Sequence, residues 1–72
     1  MQGILKRSFI AQTPVEIIYM SKNGTITQRK VTIQQLDDHL LIGFCHVRKQ
    51  RRMFLIQNIL SAKPVHRKEK AI

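Results

Sequence analysis

Apolar and polar positions follow different rhythms along this chain. The longest apolar signal spans residues 40–56, where two apolar runs, 40–47 and 53–56, flank a basic link. The first run is interrupted only by Gly43 and His46. Leu, Ile, Phe, Cys and Val without alternation predict a strand covered on both faces, as in a small barrel. The link holds Arg48, Lys49, Arg51 and Arg52, and so many cations cannot be buried unpaired. They belong at a barrel's rim or along a wet pocket. A four-residue loop over residues 48–51 pairs Val47 with Arg52 and sets Cys45 opposite Phe54. A two-residue loop would oppose Arg48 and Arg51, two like charges. Gly43, in mid-strand, marks a bend or bulge.

Alternation marks the two preceding strands. Over residues 15–21, Val15, Ile17 and Tyr19 share one face, and Glu16, Ile18 and Met20 the other. Lys22-Asn23-Gly24 is the turn, where Asn-Gly supplies the positive φ values of a tight hairpin. Residues 25–33 return with Thr25, Thr27, Arg29, Val31 and Ile33 on one face. Arg29 thus lies in line with inward-facing residues, where a guanidinium needs an acceptor or a ligand. Residues 34–38 read as a loop, with Leu36 pinned to the core and Asp37-Asp38 turning into the next strand.

The ends follow. Residues 1–13 read as a helix in which Leu5 and Phe9 form an i, i+4 pair. Pro14 stops it and pushes Thr13 to extended geometry. Leu5, Phe9 and Ala11 also share a parity, so a strand is the alternative there. Residues 57–59 predict a single helical turn, and residues 60–65 a short closing strand kept at the sheet edge by Pro64. The basic tail, residues 66–72, is expected to fray. The sum is a mainly β fold: a short N-terminal helix, then five strands over residues 14–65. A strongly bent sheet curled into a small barrel is the economical solution, and curling protects the edges.

Composition narrows the function classes. The 72 residues make one domain with a thin core, burying only ~60–65% of the unfolded surface. Packing, and self-association, must supply its stability. The single cysteine, Cys45, leaves no internal disulfide and too few thiols for a zinc cluster. Inside an apolar run it reads as a small buried hydrophobe, in keeping with a reduced, cytoplasmic setting. No stretch approaches the ~20 apolar residues of a membrane helix. No leader pattern follows Lys6-Arg7. Thirteen Lys and Arg against four Asp and Glu give a net charge of +9, a field that attracts polyanions. Catalysis finds few parts. The acids are Glu16, Asp37, Asp38 and Glu69, and adjacent strand residues Cys45 and His46 point to opposite faces. There is no Gly-rich phosphate loop, and three scattered histidines make no metal site. The expectation is a protein that is not an enzyme and needs no cofactor or metal.

Taken together, the Ile17-Ile18-Tyr19 strand, Gly24, Arg29-Lys30-Val31, Leu40-Leu41, Phe44-Cys45-His46-Val47-Arg48, Arg52-Met53-Phe54 and Ile59 resemble the WYL domain of bacterial transcription regulators. The ordered set runs from Ile17 to Ala62. The Trp-Tyr-Leu triplet that names the family aligns with His39-Leu40-Leu41, where only Leu41 matches. A usual proline after the second strand is Ile33, and an arginine often found before the closing isoleucine is Asn58. The resemblance implies a small SH3-like or Sm-like β-barrel that senses a ligand. In larger relatives the domain follows a DNA-binding helix-turn-helix, for which 72 residues leave no room, so regulation by a stand-alone domain would run through a partner. Matching positions carry over Tyr19, Arg29, His46, Arg48 and Arg52 as pocket residues.

Two functions are therefore expected. One is a binding module for a nucleotide or single-stranded nucleic acid, in which arginine forks grip phosphate and Tyr19 offers a stacking face or hydroxyl. The plain alternative is a solvated charged turn with Tyr19 in the core. The other is a protein-interaction module that pairs with a second copy or a partner regulator through an edge strand or the helix. Membrane-surface binding through residues 63–70 lacks an amphipathic helix or lipidation signal, so no membrane partner is expected.

Overall fold

Alternation in the first hairpin dictates the interior. The structure, a computed structural model, describes residues 2–65. It contains one helix, α1 (Gln2–Ala11), and five strands: β1 (Val15–Met20), β2 (Ile26–Leu36), β3 (Leu40–Cys45), β4 (Gln50–Leu55) and β5 (Ile59–Pro64). They form one antiparallel sheet in the order β4-β3-β2-β1-β5. Val15 and Ile17 on β1, Val31 and Ile33 on β2, and Leu41 and Cys45 on β3 face inward and are at most 1% exposed. The tail expected at residues 66–72 lies outside the described residues.

The two ends of this sheet are drawn together. The Tyr19 hydroxyl, on β1, accepts the Leu55 N–H at 3.2 Å, and its ring meets Phe54 of β4 edge-on at 5.0 Å. A 3₁₀ turn at Ile56–Asn58 then carries the chain from β4 to β5, across the seam. The sheet therefore curls into the small five-stranded barrel expected from the sequence, and α1 packs against β2 and β5. The helix buries Leu5 and Ser8, with Ile4 and Phe9 beside the core. Burying a leucine contributes about 2 kcal/mol, enough to dock so short a helix.

Its C-terminus is closed by two crossed bonds, Gln12 N–H to Phe9 C=O at 3.2 Å and Thr13 N–H to Ser8 C=O at 3.1 Å. That is the Schellman arrangement, which sets its capping residue left-handed. Gln12 takes that conformation with φ 55°, where glycine is usual. Its side chain supplies the compensation: Nε2 donates to Phe9 C=O at 2.9 Å and to Ile33 C=O at 3.0 Å.

Several local expectations need correction. The β1–β2 turn uses one positive φ, at Gly24 (88°), and not a pair. Asn23 serves through its side chain, whose Oδ1 accepts from the Ser21 hydroxyl and the Thr25 N–H. Residues 34–36 are strand, not loop. A register shift between Ile33 and Gln35 lets β2 continue past two polar glutamines to Leu36, paired with Leu41. The bulge anticipated at Gly43 thus falls on the strand opposite. The β3–β4 loop is residues 46–49, two residues earlier than the expected 48–51. Cys45 C=O accepts the Lys49 N–H at 2.7 Å, Lys49 takes φ 56°, and Cys45 pairs with Gln50. This register sets Leu41 opposite Phe54 in the interior, whereas the expected one would have set Asn58 opposite Leu41. The 3₁₀ turn and β5 each begin one residue earlier than expected.

Candidate phosphate-binding recess

The β2 parity that brings Val31 and Ile33 inside also carries Arg29 to the buried face, opposite Ile17. Near this end of the barrel the neighbouring strand β3 has ended at Cys45, so nothing continues the core over Arg29. The chain turns there through residues 46–49 and leaves an open recess of about 370 Å³. Its walls are Thr27, Gln28, Arg29, Lys30, Cys45, Val47 and Arg48. Three cations from two segments line it, and none of the lining residues is acidic. Arg29 is half-buried, and its Nε lies 3.4 Å from the Thr27 hydroxyl, which accepts. That contact orients the guanidinium, which also reaches the Cys45 thiol and still has N–H groups to offer a ligand.

Cys45 forms the inner wall. Burial pushes its thiol up, but the N–H groups of Arg48 and Val47 and the guanidinium of Arg29 favour the thiolate, and the net shift is downward. The same positive local field that favours a thiolate favours any anion brought into the recess.

The five residues carried over by resemblance occupy four places. Arg29 and Arg48 line the recess together. Arg52 starts on the same buried face, opposite Gly43, outside the recess walls. Tyr19 is also outside them, held by Phe54 and the Leu55 N–H at the seam. His46 lies on the outer surface. Its Nε2 is 2.7 Å from the Thr32 hydroxyl, and its ring meets Phe44 edge-on at 5.4 Å. Lys30 joins the recess although parity assigns it to the outer face, because β3 stops beside it and leaves that edge of β2 open. Its place next to Arg29, beside a predicted basic turn, is the signal that would have found it. Among the described residues, no group of three or more His, Cys, Asp or Glu is placed to hold a metal ion. No described helix is long and apolar enough to cross a membrane.

No protein-family model matches the chain, and no curated protein matches it in sequence. Among solved structures the fold is similar to part of proteasome accessory factor B/C (PafBC) of Arthrobacter aurescens, with a TM-score of 0.78 and 20% identity. The match covers 92% of this chain and 11% of that one, so this chain spans about a tenth of the length of the protein it resembles.

Proposed function

We propose that this chain is a regulatory ligand-binding module of WYL type, not an enzyme, and that its recess takes the phosphate of a nucleotide or of single-stranded nucleic acid. The observation that carries this reading is the convergence of Arg29, Lys30 and Arg48 on one open hollow lined by no carboxylate. Guanidinium groups match phosphate oxygens two at a time, and the net charge of +9 steers polyanions toward them. The likeness in fold to a segment of PafBC supports the family reading made from the residues. The walls include no aromatic ring, so recognition rests on phosphate and tolerates any base.

Anisotropy titrations with labelled single strands test it. Binding is micromolar or weaker. Three cationic contacts predict a slope of log K against log salt near −2, from ~0.7 counterions released per contact. Arg29→Gln and Arg48→Glu together abolish binding, while Arg7→Gln on the exposed side of α1 leaves most of it. Equal losses from both changes would reduce the recess to a share of general surface charge. No binding at low salt would remove the reading altogether.

A further inference from the structure

β3 carries apolar side chains on both faces, and the described fold covers only one. Leu41 and Cys45 are buried inside. On the outer face Leu40, Ile42 and Phe44 are only half-buried. Their β4 neighbours extend the strip: Leu55 pairs with Leu40 and is 42% exposed, and Met53 pairs with Ile42 and is 62% exposed. An outward-facing strand normally alternates with polar residues, so five apolar positions in a row of pairs are a face that expects cover. β4 is also an edge strand of the sheet, leaving the strip open along one side.

Charge and shape say what covers it. At one end of the strip stand Lys49 and Arg51, on the β3–β4 hairpin. At the other, on the β2–β3 connection, stand Asp37 and Asp38. Asp37 is held in place by accepting the N–H groups of His39 and Leu40, both at 2.8 Å. The two ends of this face carry opposite signs, with Lys6 of α1 beside the two carboxylates, whereas the recess carries one sign only. The face is complementary to itself when turned end for end. Beside its acidic end lies a hollow of about 190 Å³ walled by Gln35, Leu36, Asp37, Leu40 and Ile42. Met53 is a flexible, protruding side chain suited to filling such a hollow.

We propose that this face is the interface of a twofold dimer of the chain. Met53 of each copy enters the other's hollow, and Arg51 of each lies against the other's Asp38. A twofold axis makes both contacts twice, as an isologous interface requires. A strip of five side chains is at the small end of interface sizes, where association is weak and transient.

Sedimentation equilibrium of the full chain, from tens of micromolar to about a millimolar, tests it. The chain dimerises across that range, and Met53→Glu makes it monomeric. Arg51→Asp and Asp38→Arg each weaken the homodimer about five- to tenfold, since each meets two like charges. Mixing those two variants restores wild-type affinity as a heterodimer, because every pair in it is again opposite in sign. All three positions are exposed, and circular dichroism shows that the variants keep the fold. A chain that stays monomeric throughout overturns the proposal and leaves the face to residues 66–72 or to another protein. A dimer that survives Met53→Glu, or a mixture no tighter than its components, overturns it as well.

Discussion

Gly43→Ala would add one methyl group where the barrel is tightest. A Cβ at Gly43 falls 3.1 Å from the Val31 Cβ, 3.2 Å from its Cγ2 and 3.3 Å from Leu41 Cδ2. Carbon atoms pack comfortably at about 3.5–4.0 Å, so all three approaches are short by a few tenths. Leu41 Cδ2 ends a flexible side chain and can rotate aside. Val31 Cβ is bonded to the backbone of the neighbouring strand, so β2 and β3 must part to relieve it. Overpacking of this kind costs about 1–3 kcal/mol. Gly43 does not use a positive φ, so alanine also stiffens the unfolded chain and returns about 0.4–1 kcal/mol. The net loss is about 0.5–2 kcal/mol, which in a domain of this size lowers Tm by roughly 2–16 °C. Urea and thermal denaturation measure it. Val31→Ala removes the Cγ2 clash but not the Cβ one. The double variant should therefore be less unstable than the sum of the singles, by about 0.5–1 kcal/mol. If Gly43→Ala is as stable as wild type, or the two changes simply add, the close β2–β3 approach is not what excludes a side chain there.

Three further outcomes follow from single contacts. Tyr19→Phe leaves the Leu55 N–H without its acceptor at the seam and costs about 0.5–1 kcal/mol in urea denaturation; an unchanged midpoint would mean that the hydroxyl does not hold the seam. Gln12→Ala keeps the left-handed backbone but loses both side-chain bonds, and should cost about 1–2 kcal/mol. Gln12→Gly loses the same bonds but sheds the strain, so it should fall between wild type and alanine in thermal melts. The Cys45 thiol is held below its ordinary value in the folded chain, by backbone N–H groups and the Arg29 guanidinium against the opposing effect of burial, so the unfolded state binds the extra proton. Stability should therefore rise as pH climbs from the folded value toward that of the free thiol and be complete above it. Cys45→Ser should flatten that rise, and a rise that persists unchanged would assign it to another group.

How much of this was readable from residues depends on whether the deciding force is local. The faces of β1 and β2 follow from alternation alone, because burying Val15, Ile17, Val31 and Ile33 leaves one parity for each strand, and that parity commits Arg29 to the buried side. β3 has no such asymmetry. With apolar residues on both faces, its pattern does not say where the strand stops, and Val47 reads as strand though it stands 82% exposed in the turn. The hairpin register is decided across strands, by Leu41 meeting Phe54, which no window along one strand contains. The same nonlocality governs the candidate site. Arg29 was legible as inward-facing and Arg48 as part of a basic turn, and the two meet because β3 stops beside both. His46 does not join them, because strand parity already sets it on the face opposite Cys45, the outer surface, where it meets Thr32 and Phe44. Tyr19 was legible as inward-facing, but its hydroxyl meets an N–H at the far end of β4, a pairing that exists only once the sheet has curled. The recess is thus a consequence of where β3 stops and the seam a consequence of closure; a sequence pattern reaches the parity of Arg29 and the basic turn that holds Arg48, but neither of those long-range events.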